Sequence, residues 1–240
     1  MKGIAFTFDD DVSTHHEIIA PMFEKYGISC TFFINGSNLN LWRGIHGYQV
    51  SDMTDEQIVD LYKRGFEIGN HTFNHIHIAE STLPEIRDNF LKTEDKLSSL
   101  GVEVAPVFSY PGYVINKSRE EIRGALTELG YKLGRIGYFE KAPGYDHHLD
   151  NNPQTWERDE SHYYKPKETD PFFVKCCAMF CDNLSFDLFK SAVENAPEDS
   201  FCITNGHVFT RDYEIEKLEK ICKFIKDNDI KTVHFSDLPA

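Results

Sequence analysis

At 240 residues, with 40% hydrophobic and 27% charged side chains, the chain has the composition of a globular protein with a sizeable core. Thirty-nine acids against 25 bases give a formal net charge of −14, and with no cluster of Lys and Arg this argues against nucleic acid or an anionic membrane as a partner. No run approaches the roughly 18 apolar residues of a membrane span, and no basic-then-apolar leader opens the sequence, so a cytoplasmic location is expected, while the oligomeric state leaves no signature.

Strand-like and helix-like patterns alternate along the chain, which predicts a parallel sheet covered by helices. Gly3 to Phe8 is an apolar strand that stops in Asp9-Asp10-Asp11. Adjacent carboxylates repel unless a cation or a shared proton offsets them; the alternative is an acidic turn capping the next helix. That helix is predicted over Thr14 to Tyr26, with Ile18, Ile19, Met22 and Phe23 on one face and Gly27 closing it. Cys30 to Ile34 is a second strand, and 37–51 has so little periodicity that it reads as a loop. Thr54 with Gln57, and Thr82 with Glu85, have capping-box spacing and open two further helices. Between them lies a short strand, Phe66 to Ile68; after them come a strand over Ala105 to Tyr110, a helix over Ser118 to Leu129 and a strand over Tyr131 to Ile136.

The pattern breaks from Gly137 to Pro171, an excursion long enough to predict a functional or mobile segment. Regularity returns with a strand at Phe173 to Met179, a helix at Ser185 to Asn195, a strand at Phe201 to Thr204, a helix at Tyr213 to Asp227 and a last strand at Lys231 to Val233. No repeat or linker is visible, so 1–240 reads as one domain. The six cysteines (Cys30, Cys176, Cys177, Cys181, Cys202 and Cys222) show no paired zinc spacing and read as reduced core thiols.

Three stretches carry chemistry. The Asp9-Asp10 pair ends the first strand. Gly69-Asn70-His71-Thr72-Phe73-Asn74-His75 follows the third, with two imidazoles four residues apart, a spacing that puts both on one face of a helical turn. In a parallel α/β barrel the carboxyl ends of the strands share one face, so a carboxylate and two histidines can hold one divalent ion with open positions. The third stretch, Phe201 to His207, again runs a strand into a histidine. Metal-assisted hydrolysis needs a base to take a proton from water and an acid for the leaving group. His207 is a candidate acid, and one of Asp9 and Asp10 a candidate base.

These stretches resemble the polysaccharide deacetylases with the NodB homology domain (carbohydrate esterase family 4). The resemblance rests on Thr7-Phe8-Asp9-Asp10, on Glu67 to His75 and on the late strand ending in His207. It implies a distorted (β/α) barrel of about seven parallel strands and an enzyme that hydrolyses the amide of an N-acetylated sugar or soluble glycan precursor. Carried over, Asp9 is the base, His207 the acid, and Asp10, His71 and His75 hold a metal, usually zinc, with cobalt or nickel as alternatives.

The family's third motif has an arginine and two prolines. Here the stretch is Phe108-Ser109-Tyr110-Pro111-Gly112-Tyr113, without the arginine that would hold the base. Tyr110, Gly112 and Tyr113 are candidates for oxyanion or substrate contacts, and Arg135 is a candidate replacement for the arginine, with a surface position as its alternative. The aspartate that would orient His207 has no clear counterpart; Asp146, Asp150 and Asp159 are the candidates. His15 or His16, just past the acidic turn, is a candidate site-lining residue. Two other functions compete: hydrolysis of a non-sugar amide such as a cyclic imide or ureide, and a non-catalytic carbohydrate-binding module on a degenerate deacetylase scaffold.

Overall fold

The apolar run at the start of the chain forms β1 (Gly3–Asp9), every residue of which is buried. The computed structural model describes residues 2–44, 49–78, 80–113, 119–137, 163–178, 186–207, 210 and 212–240. On one side of β1 stand, in order, β2 (Cys30–Ile34), β3 (Glu67–Asn70), β4 (Val107–Ser109) and β5 (Leu133–Arg135), and on its other side β8 (Phe201–Gly206), all parallel. β7 (Cys177–Ala178) adds in parallel to the upper part of β8, and β6 (Tyr163–Tyr164) pairs antiparallel with its start. Seven of the strands are thus parallel, as the resemblance implies.

The sheet curls back on itself through a short segment. Val174 bridges Arg135, with Ile136 N–H donating to Val174 O (2.9 Å) and Val174 N–H to Gly134 O (2.8 Å). The chain then reaches β8 as β7, so 174–178 ties one edge of the sheet to the other. The sequence predicts one strand across Phe173 to Met179. Instead, Pro171–Phe173 is a 3₁₀ turn, Val174 makes a bridge and pairing with β8 begins only at Cys177. Pro171 cannot donate to a ladder, and Asp170 caps the turn by accepting from Phe172 N–H.

Helices cover the outside: α1 (Ala20–Tyr26) after a π-helical turn at His15–Ile19, α2 (Leu41–Gly44), α3 (Asp55–Lys63), α4 (Leu83–Ser99), α5 (Arg119–Glu128), α6 (Phe186–Glu194) and α7 (Asp212–Asp227). Both predicted capping boxes form, Thr54 with Gln57 and Thr82 with Glu85. α2 lies within the stretch predicted as a loop, and the predicted last strand is reduced to a bridge, Ile4 to Thr232. Most of the 137–171 excursion lies outside the described residues; its end supplies β6, which alternation of strand and helix gave no reason to expect.

Strand alternation sorts β1 into two faces. Ile4, Phe6 and Phe8 face the helix layer with Phe23 and Phe32, the Phe6 and Phe23 rings meeting edge-on at 5.1 Å. Ala5 faces the barrel interior with Phe33, Val107, Leu133 and Ile203, closed from below by Phe235 and Leu238. The same parity aims Asp9 inward at the carboxyl end. Cys30, Cys176, Cys202 and Cys222 are free and buried, as predicted, while Cys181 lies outside the described residues.

Candidate functional site

The inward positions at the carboxyl end are polar where the layer below is apolar. Asp9 on β1, Ser109 on β4 and Arg135 on β5 are all buried there. Arg135 donates from Nη2 to Asp9 Oδ2, and Ser109 Oγ–H donates to Asp9 Oδ1 at 3.2 Å. The guanidinium also reaches Cys176 Sγ from Nη1 at 3.1 Å and lies 5.5 Å from the Phe33 ring centroid. Burial raises the Asp9 carboxyl, but the charges of Arg135, His71 and His207 outweigh it and leave its pKa below the ordinary value. Arg135 is not at the surface: it is 0% exposed.

Asp10 leaves the strand with φ 74°, and Asp11 follows with φ 51°, left-handed conformations that Asp adopts more readily than most residues. The turn sends Asp10 toward two imidazoles. Its Oδ1 lies 3.2 Å from His71 Nε2 and 3.3 Å from His75 Nε2, and makes no hydrogen bond among the described residues. Its Oδ2 accepts from the indole N–H of Trp42 at 3.0 Å. His71 Nδ1 lies 3.0 Å from the Ser109 carbonyl and also contacts Ser109 Oγ. A carbonyl only accepts, so Nδ1 carries a proton and Nε2 is the ring nitrogen that faces Asp10 and His75.

A buried carboxylate oxygen without a donor, facing two ring nitrogens, fits a bound cation. Ligand atoms 2.0–2.2 Å from a tetrahedral ion stand about 3.3–3.6 Å apart, close to the observed spacings, and the three ligand atoms lie within 4.8 Å of one another. Asp10, His71 and His75 are therefore able to hold a divalent metal, with the Nδ1 contact of His71 setting the tautomer a ligand needs. Burial raises the Asp10 carboxyl and the imidazoles more than offset it, so its pKa falls well below the ordinary value.

The two imidazoles do not meet on a helical turn. His71 follows β3 directly, Thr72 has φ 64° and His75 φ 50°, so an irregular loop brings them together. Asn70 Oδ1 accepts from Thr72 N–H (2.8 Å), and Asn35 Nδ2 donates to the carbonyls of His71 (2.8 Å) and Thr72 (3.0 Å). A β-branched residue in the left-handed region is strained, and strain held by such a network gathers at functional sites.

His207 follows β8 and completes the cluster. Its Nε2 is 3.8 Å from Asp9 Oδ2 and 3.7 Å from Asp10 Oδ2, and its side chain is 26% exposed. Its ring lies 5.0 Å from that of Trp42, and its carbonyl accepts from His15 Nε2 at 2.6 Å. Burial lowers the His207 pKa more than the two carboxylates raise it. Asp11 accepts from Asn35 N–H at 2.7 Å; burial, with Asp52 and Asp10 nearby, pushes its pKa well up. Each of the three consecutive carboxylates thus has a separate fate: one paired with a guanidinium, one aimed at two imidazoles, one buried and prone to hold a proton.

Not every other candidate lines the cluster. Tyr110 is 0% exposed and stacks on Phe173 in the outer aromatic layer, on the face of β4 opposite Ser109. Gly112, with φ 65°, and Tyr113 fall in a 3₁₀ turn, and a Cβ at Gly112 would meet His77 Nε2 at 2.9 Å, so glycine is favoured there. His16 sits on the surface with Asp60 at 2.8 Å, while His15 is buried. Asp146, Asp150 and Asp159 lie outside the described residues. Trp42 was missed by sequence reasoning; the one signal is that it is one of only 2 tryptophans, in a stretch with no other reason to hold one.

Comparison with known proteins finds relatives among the deacetylases. A putative polysaccharide deacetylase of Bacillus subtilis is 23% identical over 133 residues, covering 55% of this chain and 44% of the relative. A peptidoglycan-N-acetylglucosamine deacetylase of Bacillus cereus is 30% identical over 112 residues, covering 46% and 36%. This chain spans less than half the length of either relative. Among solved structures, a family 4 carbohydrate esterase from Streptomyces lividans in complex with acetate shares the fold with a TM-score of 0.59 at 13% identity, covering 96% of this chain and 91% of that one. A pseudoenzyme of the same family from Bacillus anthracis also has a TM-score of 0.59, at 15% identity over 100% of this chain and 66% of that one. The sequence profile described as polysaccharide deacetylase matches residues 1–134, a stretch holding Asp9, Asp10, His71 and His75 but ending one residue short of Arg135, and the chain belongs to that family.

Proposed function

We propose that this chain is a metal-dependent amidohydrolase that removes the acetyl group from an N-acetylated sugar or soluble glycan precursor, with 1–240 acting as one catalytic unit. The observation that carries the reading is Asp10 Oδ1, buried without a donor and facing two imidazoles, beside a carboxylate and a third imidazole suited to proton transfer. A divalent ion held by Asp10, His71 and His75, zinc in this reading, would supply Lewis-acid activation of water and of the acyl carbonyl. Water adds across the C–N bond: its oxygen ends on the acyl carbon, giving a carboxylate, and the nitrogen leaves as an amine.

Asp9 takes the proton from water. Its paired Arg135 and Ser109 keep the carboxyl ionised and aimed, so it is a base before substrate arrives. His207, partly exposed at the same mouth, delivers a proton to the departing nitrogen. A backbone N–H in the turn at Gly112 and Tyr113 is the candidate oxyanion donor. The binding-module reading drew on the missing arginine of the third motif, and Arg135 on Asp9 removes that support.

The test is metal content together with hydrolysis of a panel of N-acetylated sugars, cyclic imides and ureides. Roughly one divalent ion per chain is expected, lost in His71→Ala, with amide hydrolysis abolished in Asp9→Asn and His207→Ala. A chain that takes up no zinc, cobalt or nickel would refute the hydrolase; activity confined to imides or ureides would reassign the substrate.

A further inference from the structure

His15 is fully buried beneath the acidic turn, with the Phe8 and Phe32 rings packed on it at 5.5 and 5.4 Å. Its Nε2 lies 2.6 Å from the carbonyl oxygen of His207, which can only accept, so Nε2 carries the proton and donates. The other ring nitrogen, Nδ1, is buried with no hydrogen-bond partner among the described residues. Such an orphan is destabilising. A phenylalanine or leucine between two aromatic rings would avoid that cost. A polar side chain kept in the core against its own stability calls for a reason, and the hydrogen bond to His207 is the one the structure offers.

The carbonyl it holds belongs to a particular residue. β8 stays in register with β1 only as far as the pair Phe8 and Gly206, and His207 is the next residue out. Its imidazole faces Asp9 and Asp10 at 3.8 and 3.7 Å, so the direction in which its main chain leaves the sheet sets where that ring points. His15 opens the π-helical turn that follows the carboxylates of β1, a helix form frequent at functional sites. One hydrogen bond therefore ties the backbone of the third imidazole to the segment that carries Asp9 and Asp10.

We infer that His15 is a positioning residue for His207, fixing its main chain so that the imidazole meets the departing nitrogen. The inference rests on His207 acting as the acid in the reaction proposed above. An amine leaves only with a proton delivered to it, whereas a 4-nitrophenolate leaves from its acetate ester as the anion. Loss of positioning therefore slows amide cleavage and spares the activated ester, while a general loosening of the site slows both alike.

The experiment compares kcat and KM on an N-acetylglucosamine oligomer and on 4-nitrophenyl acetate, using zinc-loaded wild type, His15→Phe, His15→Met and His15→Gln. Phenylalanine keeps the aromatic packing without the donor, methionine gives comparable length without a donor, and glutamine restores an N–H. The expected result is a fall in amide kcat of about 10–100-fold in the Phe and Met variants. Ester kcat and both KM values should stay within about threefold, and the glutamine variant should recover most of the amide rate. Parallel losses on both substrates, or an unchanged amide rate in the Phe and Met variants, would overturn the inference alone. A wild type inactive on the amide would overturn the deacetylase reading and this inference with it.

Discussion

Arg135→Met removes one half of an ion pair in which Arg135 is 0% and Asp9 1% exposed. The carboxylate left behind keeps the Ser109 hydroxyl at 3.2 Å but loses its counter-charge while 1% exposed. Breaking a buried pair from one side costs about 3–5 kcal/mol, because an uncompensated charge remains. Asp9→Asn alone removes the guanidinium's carboxylate counter-charge while Cys176 Sγ stays at 3.1 Å, and should also destabilise. The double variant leaves no buried charge from the pair, so it should be more stable than the two single losses added together, by about 2–3 kcal/mol of coupling. The assay is urea unfolding at pH 7 in the presence of a chelator, followed by circular dichroism, on wild type, both single variants and the double variant. An Arg135→Met chain within about 1 kcal/mol of wild type, or single effects that simply add, would show that the pair is not the buried, mutually dependent unit described here.

Two further outcomes can be measured directly. His15 is held neutral by burial, its pKa lowered to about 4 from an ordinary 6.5. The unfolded chain takes up a proton there below about pH 6.5 and the folded one does not, so His15 erodes stability as pH falls from about 6.5 to 4, by about 3 kcal/mol in all. His15→Phe lacks this loss, and the stability difference between variant and wild type should move by about 2 kcal/mol in the variant's favour between pH 7 and pH 5; parallel curves would contradict the buried neutral imidazole. Gly134→Ala on β5 would place its Cβ 2.3 Å from Phe108 Cζ and 2.8 Å from the Phe172 carbonyl oxygen. A side chain can move aside but that backbone oxygen cannot without shifting the barrel-closing segment, so a loss of about 1–3 kcal/mol is expected on thermal unfolding; an unchanged midpoint would show that 171–174 yields freely.

Much of the site was legible because its signals are local. A run of strand length ending in Asp9-Asp10-Asp11, a strand running into His71 and His75, and one running into His207 put their chemistry at strand ends, and a parallel sheet brings such ends to one face. The capping boxes at Thr54 and Thr82 were legible for the same reason, since a cap involves residues three apart. The alternation of β1 already said that Asp9 shares a face with Ala5 and Thr7. It said nothing of what lay opposite.

Everything that depends on curvature or on irregular backbone was decided by the tertiary structure. Arg135 is 126 positions from Asp9 and three strands intervene in the sheet between theirs, so only the curl of the sheet lets the guanidinium cross the interior to the carboxylate. The two imidazoles meet through left-handed residues at Thr72 and His75, which no periodicity encodes. Trp42 reaches Asp10 from a stretch without pattern, and His15 reaches the His207 carbonyl across 192 positions. Sequence periodicity reports which face a side chain takes on its own element, because that follows from the backbone repeat. Which group waits across the barrel depends on how far the sheet bends before its edges join, a property of all the strands packing together and of none of them alone.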